Sequence, residues 1–374
     1  MSYKSIEAVQ EALTNGIFSK RKDARKAAGR SLGTLVEIIT FYLLRSYGLE
    51  DYLAIERSLK EYARPDIGHN VEFTLHGSSL LGTVSYRQGD SISAAKVAKS
   101  LGITTDGYER KAHKPVANLL VKNAATLFES GHSFINAYPC TAKNFIRINE
   151  LTICPFAMLE CKRVGIEKGM SRGPQTIEKA KQGAYVALTA SRLQKVRALD
   201  GRLFGFLEEE SGKFTIKPYS DLLHSIVKAK DSSRLRDVVV TVGVVSNHGN
   251  WFTHENQNKE MKVLSESYDW LLFLTDDGLT SFINDMLLGD AARLTATCEA
   301  FQRCYADDAS NNDKFTKSNM PIQADIELTK YFADNLERIT GWFNIVAPAG
   351  GTVPELMGLL SELAHIDWAE VYKQ

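Results

Sequence analysis

Between residues 31 and 44 the apolar positions Leu35, Ile38, Ile39, Tyr42 and Leu43 recur at helical spacing, so one stripe faces a core, and the helix closes near Gly48. A second helical stretch is expected over 50–62, leading to Arg64-Pro65-Asp66. The period then changes to two. Val71, Phe73 and Leu75 fall on one side of a short strand, Glu72 and Thr74 on the other. Residues 144–148 and 151–162 read as two strands folded into a hairpin around Asn149-Glu150. Pro174 marks the first turn of a helix reaching about 188. The runs 237–245 and 270–274 are apolar without alternation, as in central strands covered on both faces, and a helix follows Gly278.

Two stretches read as helical additions to this pattern. Residues 91–104 have the small-residue spacing and turn glycine (Gly102) of the first half of a helix-turn-helix. A basic stretch, Lys111 to Pro115, and a helix to about Glu129 follow, so 79–140 reads either as a DNA-reading insertion or as an ordinary helical subdomain. Residues 286–374 are mainly helical, broken at 347–354. The expected division is a basic N-terminal arm and helix (1–30), a core (31–78 and 141–285), a helical insertion (79–140) and an acidic helical C-terminal region (286–374).

Composition narrows the class. A chain of 374 residues, 44% hydrophobic, buries a substantial core in one large domain with insertions, or in two domains. No stretch reads as the roughly 18 consecutive apolar residues that span a bilayer, and Met1-Ser-Tyr-Lys-Ser5 lacks the apolar segment of a signal peptide. The five cysteines form no C-x-x-C pair, which fits free thiols in a reducing cytoplasm and argues against structural zinc. A formal net charge of zero hides a division. Residues 253–374 hold 20 Asp/Glu against 9 Lys/Arg, leaving 25 against 36 in residues 1–252. A basic surface of that kind fits a polyanion partner.

The sharpest candidate chemistry is Glu160-Cys161-Lys162, at the end of the apolar run 151–159. Two residues apart on a strand, the carboxylate and the ammonium project from one face. Phosphodiester hydrolysis needs a metal that polarises the phosphoryl oxygen and lowers the pKa of bound water. Mg2+ is held by one or two carboxylates with phosphate and water, so a second carboxylate must converge on Glu160. Lys162 is placed to orient the attacking water and stabilise the developing anion. Asp66 and Glu72, 94 and 88 positions before Glu160, both stand as the second carboxylate, with 79–140 inserted between the strands. From Glu160 to Arg202, ten Lys/Arg face four acids, which suits backbone phosphates. The loop holding His248, Trp251 and His254 reads as a DNA-contacting or structural loop, because nothing completes a metal ligand set. Walker, Rossmann and Gly-x-Ser-x-Gly signatures are absent from the sequence.

The helix with Gly33 and Glu37, Pro65-Asp66, Glu160-Cys161-Lys162, and the helix with Gln175 and Gln182, in that order, resemble the PD-(D/E)xK nuclease superfamily and within it the type II restriction endonucleases. The resemblance covers about half the chain. It implies an α/β restriction-endonuclease-like core, a central mixed sheet flanked by helices, with the helical insertion and C-terminal region added. It further implies Glu160, Lys162 and Asp66 or Glu72 as catalytic and Mg2+-binding residues, with Glu37 and Gln182 in support. Double-stranded DNA as substrate, a homodimer reading a palindrome and a cognate DNA methyltransferase complete the expectation. The alternatives are a repair or recombination nuclease of the same superfamily, a non-catalytic helix-turn-helix regulator built around 91–125, and an α/β protein whose charges are only surface.

Overall fold

A computed structural model describes residues 5–20, 22–57, 71–163, 184, 193–209, 211–228, 238–247, 252–287, 294–306, 308–310 and 313–373. Asp66, Gln175, Gln182, His248, Trp251 and the helix expected from Pro174 lie outside these residues.

The described strands are β1 (Leu53–Ile55), β2 (Phe73–Ser85), β3 (Glu109–Arg110), β4 (Val116–Ala117), β5 (Leu120–Lys122), β6 (Ala125–Glu129), β7 (Ser133–Cys140) and β8 (Phe145–Arg163). They continue with β9 (Gln194–Arg197), β10 (Leu203–Glu208), β11 (Phe214–Pro218), β12 (Val240–Ser246), β13 (Trp270–Leu274), β14 (Asn319–Pro321) and β15 (Phe343–Ala347). Nine of them form one mixed sheet in the order β15-β13-β12-β8-β7-β6-β3, with β2 on β8 and β1 on β2. The 19-residue strand β8 is its axis. β2 runs antiparallel to it from Phe73↔Leu159 to Ser85↔Phe145, β7 pairs with its first half, and β12 runs parallel to its second.

Helices cover both faces. α1 (Ile6–Asn15) lies on α2 (Ala24–Ser46), and α2 packs on β8. The stripe Leu35, Ile38, Ile39, Tyr42 and Leu43 is buried as its spacing predicts. It shares one core with Leu159, Cys161, Val242, Val244 and Leu272. The opposite face of the sheet places Val245, Leu271 and Phe273 against Met261 and Leu264 of a helix at Lys259–Ser267. Every residue of β12 and β13 is buried, which explains their unalternating apolar sequences. By length and mean hydropathy α2 is long and apolar enough to cross a membrane, but 72% of its apolar window is buried inside this fold.

Several expectations are corrected. Residues 79–140 are mainly strands: they carry the end of β2, then β3 to β7, and one helix of moderate length, α3 (Ala94–Leu101). The small-residue spacing in 91–104 does make that helix, capped by the Ser93 hydroxyl and closed by Gly102 at φ 63°. No second helix follows it. Asn118, Leu119 and Ala124 adopt positive φ and turn the chain between short strands, so the helix-turn-helix regulator loses its structural basis. The hairpin around Asn149-Glu150 is absent, because β8 runs straight through. The Asn149 amide donates to Asp51 O and Ser78 Oγ, and Glu150 accepts from Tyr108 and Ser133. Their polarity is met by neighbouring elements instead of a turn. The stretch after Glu50 forms a single 3-10 turn and then β1. Residues 286–374 are mainly helical, yet they also supply the edge strand β15 and the short strand β14.

Candidate active site

The long β2–β8 pairing decides the geometry. Its two strands are joined through residues 86–144, so chain segments far apart in sequence come side by side at the far end of the ladder. Glu72 immediately precedes the Phe73↔Leu159 pair, which sets it against Glu160. The Glu72 main-chain N–H donates to Glu160 Oε2 at 3.3 Å. Both side chains are almost wholly buried. A carboxylate at that depth is costly unless partnered, and each is partnered. Lys162 Nζ lies 2.7 Å from Glu160 Oε1, with its side chain still 27% exposed.

Alternation along β8 separates the two faces. Directly paired residues of neighbouring strands share a face; Glu160 pairs with Gly243 and Lys162 with Val245 of β12. Gly243 is required by packing, since a Cβ there would lie 2.8 Å from the Tyr268 ring. Burial, and then the Glu160 charge, push the Tyr268 phenol well above its usual range. Cys161 projects to the α2 side, where burial pushes its thiol up despite a hydrogen bond with Thr40. A thiol held protonated is a poor nucleophile or metal ligand, so Cys161 is a packing residue between the two charged ones.

The sequence offered no sign of Lys317. This residue sits in the turn before β14, and its side chain is only 4% exposed. Its ammonium lies 2.8 Å from Glu37 Oε2 and 2.7 Å from Glu56 Oε1, forms an ion pair with Glu72, and stands over the Phe73 ring. Glu37 therefore joins the site through Lys317 and Glu72, not by direct contact with Glu160. Glu56 is a second addition, held in place where its N–H donates to the Glu72 carbonyl at 3.1 Å. A sequence signal existed only for Glu37 and Glu72, which lie on patterned elements. Glu56 follows a three-residue strand, and Lys317 lies in an otherwise acidic stretch 245 positions beyond Glu72.

The result is a row of charged residues: Lys162 on the Glu160 carboxylate, Glu160 on the main-chain N–H of Glu72, and Lys317 between the Glu72, Glu37 and Glu56 carboxylates. Four carboxylates face two ammoniums, a formal surplus of two negative charges. Hard carboxylate oxygens and that surplus suit Mg2+, which needs few protein ligands when substrate phosphate and water complete its shell. Among the described residues no three His, Cys, Asp or Glu side chains form a closed metal cage. Of the sequence candidates, Glu160 and Lys162 pair directly, Glu72 meets Glu160 through its main-chain N–H and Glu37 joins through Lys317, while Asp66 and Gln182 lie outside the described residues. His254, the described member of its loop, faces the Val346 carbonyl at 3.3 Å and lines a separate cavity of about 490 Å3 with Arg197, Tyr219 and Asp269. Comparison of the chain with protein-family models, with curated proteins and with solved structures finds no match.

Proposed function

We propose that this protein is a Mg2+-dependent endonuclease of double-stranded DNA, of the type II restriction kind. The observation that carries the reading is the contact of the Glu72 main-chain N–H with the Glu160 carboxylate, 88 residues away, with Lys162 on that same carboxylate at the end of a mixed sheet. The α/β sheet flanked by helices is compatible with a restriction-endonuclease-like core, though it does not by itself distinguish one. Glu72 and Glu160 are the residues that would hold Mg2+. When bound, the ion would polarise a phosphoryl oxygen and acidify a water. The protein's own part is positional. Glu160 anchors Lys162, whose partly exposed ammonium is available to a phosphate and to the attacking water, and Lys317 fixes the Glu72 carboxylate.

The purified protein with Mg2+ should cut varied, unmethylated plasmid and phage DNA at fixed sites. Glu160→Ala and Lys162→Ala should each lower cleavage by at least about 10²-fold while DNA binding largely survives, as expected when charge stabilisation of the transition state is removed. Uncut DNA under these conditions overturns the proposal. Preference for branched or damaged DNA would select the repair reading instead. A restriction role carries with it a homodimer on a palindromic site and a cognate DNA methyltransferase. Sedimentation as a monomer, both with and without DNA, would remove the dimer.

A further inference from the structure

Strands β9, β10 and β11 form a three-stranded antiparallel sheet apart from the central one. Opposed residues share a face, so Gly205 and Leu207 look one way and Phe204, Phe206 and Glu208 the other. The first face is fixed to the body of the protein. Leu207 is buried, and a Cβ on Gly205 would lie 2.8 Å from Leu222 of the helix Tyr219–Val227. Lys195, opposite Gly205, reaches the Asp269 carboxylate at 2.6 Å. The second face carries Val196, Phe204, Phe206, Phe214 and Ile216. Val196, Phe214 and Ile216 are 48%, 55% and 56% exposed, and the Phe206 and Phe214 ring centroids lie 5.0 Å apart. An antiparallel sheet with one face on a core normally turns polar residues to water. Here the outward positions of β11 hold Phe214 and Ile216, and exposed apolar residues clustered in this way mark an interaction site.

Charge decides the occupant. Residues 194–218 hold five Lys/Arg and four Asp/Glu, and one of the five, Lys195, is turned inward to Asp269. A nucleic acid or an anionic lipid surface calls for net positive charge, and this sheet has none to offer. The outward face is instead polarised along its strands. Arg202 stands over the Phe204 ring at 5.4 Å at one end, and Glu208 lies at the other. The exposed ion pair of Arg202 with Asp200 holds it only weakly. A two-fold axis through the Phe206↔Ile216 pair sets the apolar centre of one copy on that of the next. It also brings the Arg202 end of each against the Glu208 end of the other. We propose that the outward face of β9–β11 is the surface through which two copies of this chain pair, with Ile216 beside the two-fold axis. The pairing rests on the nuclease reading insofar as that reading calls for a homodimer, and stands apart from its metal chemistry.

The test is sedimentation of the full chain without DNA at micromolar concentration. Wild type should sediment as a dimer. Ile216→Asp, at a position the fold leaves exposed, should raise the dimer dissociation constant by about 30-fold or more, as expected for a central contact, with an unchanged thermal melt. Arg202→Glu and Glu208→Arg should each weaken the dimer, and the two together should restore it. A monomeric wild type, or a dimer that Ile216→Asp leaves intact, overturns the assignment. A double swap no tighter than either single one overturns the two-fold arrangement. Loss of affinity for oligo-dT or for phosphatidylserine vesicles in Ile216→Asp, with sedimentation unchanged, overturns it in favour of that other occupant. Cleavage is scored separately: a monomer that cuts DNA sinks the surface and spares the nuclease, and a dimer that cuts none does the reverse.

Discussion

His76 is wholly buried in β2, with Nδ1 2.9 Å from the Thr152 carbonyl, Nε2 2.7 Å from Thr74 Oγ1 and its ring edge-on to Phe134. The carbonyl can only accept, so Nδ1 carries the hydrogen and the Thr74 hydroxyl donates to Nε2. Burial, then the nearby Arg57 charge, hold this imidazole well below its ordinary pKa. The unfolded chain therefore takes up a proton near pH 6.5 that the folded chain does not. Stability is retained above that pH and falls as the medium is acidified, by about 1.4 kcal/mol per pH unit from this group. His76→Gln should flatten the acid limb of a plot of unfolding free energy against pH between 6.5 and 5, and an unchanged slope would refute the account. At this scale the site was half legible. Glu160 and Lys162 close an apolar strand and Glu72 lies in the alternating stretch 71–75, both visible in the sequence. Lys317 is positioned by a turn, and nothing periodic marks a turn residue whose partners lie on three distant elements.

Trp368 and Val371 of the last helix (Trp368–Lys373) are both buried in the main core. Trp368 stacks on Phe156 with ring centroids 5.4 Å apart, and its Nε1–H donates to Leu363 O at 2.8 Å. Its Cβ lies where Gly77 leaves room, since a Cβ on Gly77 would approach to 2.4 Å. Trp368→Ala should cost about 3–5 kcal/mol in urea unfolding. Gly77→Ala should also destabilise, by forcing the tryptophan off the strand, yet should cost little more once Trp368 is already alanine. Simple additivity of the two substitutions would show that they do not share this contact. Element types were legible where burial was uniform or one-sided: α2, β12 and β13 follow their patterns. They were misread where polar residues inside strands mimic turns, as at Asn149 and Glu150, and where strands of two to five residues are too short to show a period, as in β3 to β6.

The sequence reading set an acidic helical C-terminal region, 286–374, apart from the core, yet the structure joins the two. β15 pairs antiparallel with β13 and extends the central sheet. Asp325, fully buried, accepts from Tyr42 at 2.7 Å, Arg45 at 2.8 Å and Thr141 at 2.6 Å, tying the C-terminal region to α2 and to the end of β7. Lys317 completes the row of charges from the same region. Removing residues 286–374 would uncover β13, strand Arg45 without its carboxylate in a nearly dry position, and leave Glu37, Glu56 and Glu72 facing one another. Breaking one buried ion pair of this kind costs about 3–5 kcal/mol, and a domain's whole stability is of the order of 5–15 kcal/mol. A chain ended at 285 should therefore show no cooperative thermal transition by circular dichroism. It should also fail to bind DNA, even though it retains Glu160, Lys162 and almost all of the basic residues. A truncated chain that unfolds cooperatively would mean that the acidic C-terminal region is a separable unit after all. The remainder of the chain would then carry its own fold.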